Sequence, residues 1–378
     1  MAHILMGTAT AGLKPSGKKD LLVVYSEKPF LVSAVYTKNH FKAAPVIYSK
    51  RLTDQKNLFR AFVVNSGNAN CGTGEEGLKH AEMMAQRVAK NLGISPDEVL
   101  VFSTGIIGVP LPIEKVLKGI DEACKNLKPL DLKEAAEAIS TTDAFPKYGK
   151  RELAYGFGKG AGMIHPNMAT MLAYIFTPAK VDFKTLRELH LRINEKTFNS
   201  ITVDGCTSTN DSFLLISTLE TENFNKGQLK EDVYQVALGI AKQIVADGEG
   251  ATKVGIITVE KAKSEKKAKA IAEKVATSQL VKTALFGNDP NWGRIVAAAG
   301  SVFDYPIDPN SLEVFIGPYK VFEKGKPTNV DLGEVSNYMR DRKEVPIKVV
   351  LNEGSSEWTY YTSDLTYDYV KLNAEYTT

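Results

Sequence analysis

Between Gly158 and Phe176 the chain reads GKGAGMIHPNMATMLAYIF. Glycines and a proline hold the stretch up to Asn167 to turns and irregular backbone, and the apolar run Met171 to Phe176 then demands a buried strand at once. A chain built this way must carry a flexible loop to the edge of its core and convert it there into a strand. Ala169 and Thr170 form the junction, with Thr170 as the first strand-like residue. If the bond before Thr170 breaks, that residue becomes a new N-terminus. Its hydroxyl is then a nucleophile and its own α-amine the base, as in the Thr-N-terminus variants of the catalytic triad. The reference pKa of such an amine, about 7.7–8.0, lets it take a proton near neutrality without a histidine. Breaking the bond requires the hydroxyl to attack the Ala169 carbonyl. The small residues on the approach tolerate the strain that this needs.

The rest of the chain alternates helical and strand patterns. Short strands are expected at 21–24, 61–64, 99–103, 213–219 and 254–259. Helices are expected at 75–92, 132–140, 182–194 and 229–246. Thr73 with Glu76 forms a candidate capping box for the first of these, and Gly93 its stop. Residues 346–351 and 357–362 read as a late antiparallel pair. The fold class is therefore mixed α/β, and 378 residues suffice for a large core in two or three lobes. Basic and acidic residues nearly balance, 47 against 44, which argues against nucleic-acid and membrane partners. The lysines between Lys263 and Lys274 read as a solvated helix face. Three widely spaced cysteines fit reduced thiols in a cytoplasmic protein, without a disulfide framework or a metal site. No signal peptide or membrane-spanning stretch is expected.

Eight blocks of sequence, in order, resemble the ornithine acetyltransferase family, the bifunctional glutamate N-acetyltransferases of arginine biosynthesis. They are Lys42-Ala-Ala-Pro45, Val64-Asn-Ser-Gly-Asn-Ala-Asn70, Ser103-Thr-Gly-Ile-Ile-Gly108, Thr141-Thr-Asp143, Lys159 to Leu172, Asp247-Gly-Glu-Gly-Ala-Thr252, Asp289-Pro-Asn-Trp-Gly-Arg294 and Asn373-Ala-Glu-Tyr-Thr-Thr378. The resemblance implies a layered α/β sandwich of self-cleaving, N-terminal-nucleophile-like architecture. It implies cleavage between Ala169 and Thr170, giving an alpha chain 1–169 and a beta chain 170–378. The two would stay intertwined and assemble as a hetero-oligomer, a heterotetramer. The activity implied is acetyl transfer from N2-acetylornithine to glutamate through an acetyl-threonine, with no cofactor. Some members also accept acetyl-CoA as donor.

Each candidate residue also has a bland reading. Thr104-Gly105 ends a strand with a hydroxyl and an unencumbered N–H, and the resemblance makes it the oxyanion hole; otherwise it is a tight turn. Lys159 supplies a mobile charge, a substrate contact by resemblance and otherwise a surface lysine. Glu249 lies in a glycine-rich turn, able to meet an amino group or simply solvated. Thr141 is preferred over Thr142 as a substrate contact; helix-end capping is the plain alternative. The resemblance folds the terminal Asn373 and Thr378 back onto substrate, where tails are ordinarily loose. Thr170 itself completes the substrate set. Gly156-Phe-Gly-Lys-Gly-Ala161 lacks the strand-to-helix context of a dinucleotide site. His165 is unnecessary as a base, and the asparagine-rich block 64–70 serves structure. The rival enzyme reading is a self-cleaving amidohydrolase or aminopeptidase in which water accepts the acyl group.

Overall fold

Residues 3–165 and 171–375 are described by a computed structural model. They divide into two compact units. The first is built on the chain up to Asn199 together with Cys206–Ile244, and the second on Ser200–Gly205 with the chain from Val245 onward. The strands run β1 (Ile4–Ala9), β2 (Leu21–Tyr36), β3 (Leu58–Asn68), β4 (Val99–Ile106), β5 (Lys128–Pro129), β6 (Lys147–Lys150), β7 (Tyr155–Lys159) and β8 (Leu172–Ala179). They continue β9 (Ile201–Thr202), β10 (Ser212–Thr221), β11 (Val254–Ala262), β12 (Glu313–Ile316), β13 (Tyr319–Glu323), β14 (Lys326–Pro327), β15 (Glu344–Val350) and β16 (Ser356–Ser363).

The sheet of the first unit has the order β4-β3-β2-β10-β8-β7-β6, with β1 on β2 and β5 on β1. β2 is long because it serves two neighbours in turn. Its first half carries β1 and its second half β10. The sheet is mixed: β3 with β4 and β8 with β10 are parallel, while β7 with β8 is antiparallel. Side chains alternate across each strand, and the apolar ones on one face meet in a single aromatic-rich core. Phe62 of β3 stacks on Tyr174 of β8 with ring centroids 4.5 Å apart, and Phe102 of β4 meets the same ring edge-on at 5.4 Å. Rings from strands three and four places apart in that order touch only if the sheet curls. The expected strand at 171–176 is observed as Leu172–Ala179. β8 and β10, both beyond residue 170, lie hydrogen-bonded between β2 and β7, both before it.

The helix Gly74–Leu92 buries Ala81, Met84, Ala85 and Val88 on one face and stops at Gly93 with φ 65°. The expected capping box does not form. Thr73 lacks the cap bond, and its hydroxyl instead donates to Asn70 Oδ1 at 2.9 Å, a local partner that competes with the helix amides. The helix Leu132–Ile139 is capped by Asp131, which accepts from the Glu134 amide at 3.0 Å.

In the second unit the sheet order is β14-β13-β12-β15-β11-β16-β9. The expected pairing of the two late strands is corrected here. β11 lies between them, parallel to β15 and antiparallel to β16. Alternation reveals a half-buried strand but not its neighbour, and β11, with Ile257 and Val259 fully buried, takes both flanks. The expected solvated lysine face also holds one exception. Lys267, on the helix Glu265–Ala276, is 6% exposed, donates to Pro306 O at 2.7 Å and pairs with Glu353.

Candidate active site

Three of the residues singled out from sequence meet in the first unit. Lys159 ends β7, antiparallel to β8 and opposite Leu172. Its ammonium donates to Thr141 Oγ1 at 2.7 Å and to Thr104 Oγ1 at 3.2 Å. Thr104 comes from the end of β4, and Thr141 from the turn after the helix Leu132–Ile139. Lys159 is only 8% exposed, so it is not a surface lysine. Since Thr104 Oγ1 accepts from an ammonium, its own proton remains directed elsewhere.

Gly105 follows at φ 137°, a backbone region that favours glycine. A Cβ at this position would stand 2.3 Å from the Gly67 carbonyl carbon. β3 and β4 run in register to Gly67 opposite Gly105, and the register breaks at Asn68. The asparagine-rich block holds this corner. Asn65 Nδ2 donates to Asn68 O at 2.9 Å, and Ser103 Oγ to Asn65 Oδ1 at 2.5 Å. Asn210, which sequence reasoning passed over, bridges Ala69 O at 2.7 Å and Ser103 O at 2.8 Å.

Asp143, the last residue of the Thr141-Thr-Asp143 motif, anchors the cluster. Its side chain is wholly buried, 2.7 Å from Lys147 Nζ and 3.8 Å from Lys159 Nζ. It accepts from the Thr141 amide at 2.9 Å and the Gly160 amide at 2.7 Å. Burial alone would raise this carboxyl. The charges of Lys159 and Lys147 and the hydrogen bonds from Lys147 and the Thr141 amide override burial and hold it well below the usual carboxylate range. Lys147 is as deeply buried as its partner. The available signal was a carboxylate and a lysine four residues apart around Phe145-Pro146, which burial alone turns into an ion pair. Lys14 adds a further cation: its ammonium reaches Ala138 O at 3.3 Å. Burial pushes it down to about 8, with Asp20 pulling the other way and Lys159 adding to the fall.

In the second unit Glu249 and Asn373 also meet. Asn373 Nδ2 donates to Glu249 Oε2 at 3.0 Å from the helix Tyr367–Glu375. Gly250 adopts φ 69°, and a Cβ there would stand 2.4 Å from the Tyr369 amide nitrogen. Asp364 pins the following residues, accepting from the Thr252 amide at 2.8 Å and the Lys253 amide at 3.1 Å. Ala169, Thr170 and Thr378 lie outside the described residues, as does the start of the expected strand at Thr170. Thr142 is exposed. His165 O accepts from Thr207 Oγ1 at 2.9 Å. Gly156 and Gly158 lie inside β7, which is not the strand-to-helix turn of a dinucleotide site. Among the described residues no group of histidine, cysteine and acidic side chains has metal-binding geometry, and no helix is long and apolar enough to cross a membrane.

The ArgJ family model matches residues 5–378. The chain is 58% identical over 383 aligned positions to the arginine biosynthesis bifunctional protein ArgJ of Aquifex aeolicus, covering 100% of both sequences. It is 44% identical over 376 positions to the protein of the same name from Thermus thermophilus, covering 98% of this chain and 97% of that one. The crystal structure of ArgJ from Bacillus halodurans superposes with a TM-score of 0.53 at 35% identity, over 55% of this chain and 100% of that one. The chain therefore belongs to the ArgJ family of glutamate N-acetyltransferases, the enzymes whose motifs it carries from Lys42 to its C-terminus.

Proposed function

We propose that the chain moves an acetyl group from N2-acetylornithine to glutamate by a ping-pong reaction through Thr170. The carrying observation is the meeting of Thr104, Thr141 and Lys159 beside Leu172, two residues along the chain from Thr170. The names of the relatives, bifunctional proteins of arginine biosynthesis, support the same reading.

In this proposal Thr170 first attacks the Ala169 carbonyl, its nitrogen leaves that carbon, and water hydrolyses the resulting ester. The products are a carboxylate at Ala169 and a free amine at Thr170. The chains 1–169 and 170–378 remain together because β8 and β10 of one lie between β2 and β7 of the other. The whole Bacillus halodurans chain corresponds to 55% of this chain, a share equal to that of residues 170–378.

In the first half-reaction the Thr170 hydroxyl adds to the acetyl carbonyl and gives its proton to the α-amine. The oxyanion takes hydrogen bonds from Thr104 Oγ1 and the Gly105 N–H. Ornithine leaves with the proton. In the second half-reaction the glutamate amine attacks the acetyl ester and Thr170 recovers its proton. Lys159, with Thr141, receives the α-carboxylate common to both substrates; Glu249, Asn373 and Thr378 are further substrate contacts that the family resemblance proposes. Acetyl-CoA serves as a second donor to the same hydroxyl. The cleaved chains form a cytoplasmic hetero-oligomer.

Isotope exchange tests the intermediate. Labelled ornithine is expected to enter N-acetylornithine with no glutamate present. Fast overall transfer without exchange would remove Thr170 as carrier. Acetate release outrunning transfer would favour the amidohydrolase reading.

A further inference from the structure

At the end of β2 a cavity of about 480 Å³ opens between the helices Ala44–Thr53 and Phe183–Lys196. Strand register creates it. β3 pairs with β2 only as far as Leu58 opposite Leu31. The last rung is closed by the Val32 amide on Asn57 O at 2.8 Å. Beyond it β2 keeps β10 on one side, and the cavity borders Val32, Ala34, Val35 and Tyr36 of the strand and Thr37 after it. Arg187 reaches in and donates to Ala34 O at 2.5 Å.

The lining is strongly basic. Lys38, Lys42, Lys50 and Arg187 face a single carboxylate, Asp54. Asp54 is already paired with Lys50 across one helical turn. Four cations against one carboxylate leave the lining with a net positive charge. Lys42 is held in place by its bond to Asn39 O at 2.7 Å, and Arg187 by Ala34. Phe183 stands at the cavity with 38% of its surface exposed, one helical turn from Arg187 and therefore on the same face. None of these residues belongs to the Thr104–Lys159 cluster. Of the Lys42-Ala-Ala-Pro45 block, Lys42 lines this cavity.

We propose that the cavity binds an organic phosphate carrying a flat ring, a ligand of the nucleotide class. The net positive charge of the concavity complements the negative charge of a phosphate. An exposed phenyl ring beside them offers a stacking face. The volume falls in the range of small-molecule sites, about 300–1,000 Å³. An inorganic anion would leave Phe183 and most of that space unused, and an apolar ligand would leave the net positive charge unmet.

Calorimetric titration of the whole protein with ADP, pyrophosphate and adenosine tests the assignment. ADP is expected to bind more tightly than either fragment, and less tightly as salt is raised. Lys38→Gln with Lys42→Gln is expected to weaken ADP by about tenfold or more, the effect of losing charge-assisted hydrogen bonds. Phe183→Ala is expected to weaken ADP and adenosine while leaving pyrophosphate unchanged. Lys38 and Phe183 are exposed, so their single substitutions spare the fold and serve if the double variant unfolds. Absence of ADP binding, or ADP binding undiminished in the lysine variants, overturns the site. Pyrophosphate binding as tightly as ADP overturns the nucleotide assignment.

Discussion

Thr104 and Lys159 stand five strands apart in the hydrogen-bonding order of the first sheet, yet the Lys159 ammonium lies 3.2 Å from Thr104 Oγ1. In a flat sheet that separation would be about 24 Å, five spacings of roughly 4.8 Å. The curl that closes the gap is fixed by rings. Phe62 and Phe102 from one flank pack on Tyr174 from the other, and Phe157 meets the same tyrosine at 5.2 Å. The aromatic core therefore shapes the site from below, and the threonine–lysine contact sits at the ends of the strands that it draws together.

Thr170→Ala should remain a single chain and transfer no acetyl group. In the wild type, intact mass and N-terminal sequencing should show a second fragment starting at Thr170. A fully active, uncleaved wild type would end the nucleophile assignment.

Removing the Thr104 hydroxyl should act on turnover. A lost oxyanion donor typically lowers kcat about a hundred- to a thousandfold with little change in KM. Thr104→Ala is expected to follow that pattern and Thr104→Ser to recover most of the rate. Equal turnover in Thr104→Ala would remove the residue from the proposed hole.

The Asp143–Lys147 pair predicts an asymmetric result. Asp143→Asn leaves the Lys147 charge buried and should cost about 3–5 kcal/mol in unfolding free energy. Adding Lys147→Met should restore part of that loss, because the orphaned charge is gone. The acid branch follows from the depressed Asp143 carboxyl. Its contribution is present above the unfolded value, about 3.9, and is lost as pH falls toward the lower folded value, because the unfolded chain then binds the proton more readily. Urea midpoints between pH 5 and pH 3, on the order of the unfolded value, should therefore fall more steeply in the wild type than in the double variant. Parallel slopes would contradict the assignment.

Lys282 gives an alkaline counterpart. Its ammonium is buried and donates to Thr362 Oγ1 at 3.1 Å. Burial pushes it down to about 8, against the pull of Asp364 and Asp204. A lysine whose folded value lies below its unfolded one, 10.5, penalises the folded state while it is charged. Stability from this group is therefore greatest above 10.5 and is lost as pH falls toward 8. Lys282→Met should flatten the rise in urea midpoint across that window. A slope identical to the wild type would show that Lys282 does not titrate there.

Gly105→Ala should lower stability by about 1–3 kcal/mol, the scale of a residue forced into an unfavourable backbone region. The Cβ it adds would stand 2.3 Å from Gly67. Thermal unfolding checks this, and a midpoint equal to the wild type would mean that the corner relaxes freely.

Local information was enough for much of the chain. The helix Gly74–Leu92 follows from its apolar spacing and from Gly93, and the strand after the glycine-rich loop follows from an unbroken apolar run. Thr104, Thr141 and Lys159 could be named because small motifs mark them, and family membership follows from those motifs in order. What the sequence could not assign was partnership. The late strands β15 and β16 read as a pair but flank β11, because alternation specifies a face and not a neighbour. Thr73 reads as a cap but bonds Asn70, and Lys267 reads as solvated but is buried against Glu353. Asp143 and Lys147 look like ordinary surface charges until the curl of the sheet removes water from both. Contacts between residues distant in sequence depend on which strands meet and how far the sheet bends. In the first sheet the bend is accompanied by the packing of Phe62, Phe102 and Phe157 on Tyr174, contacts between distant parts of the chain that no local pattern encodes.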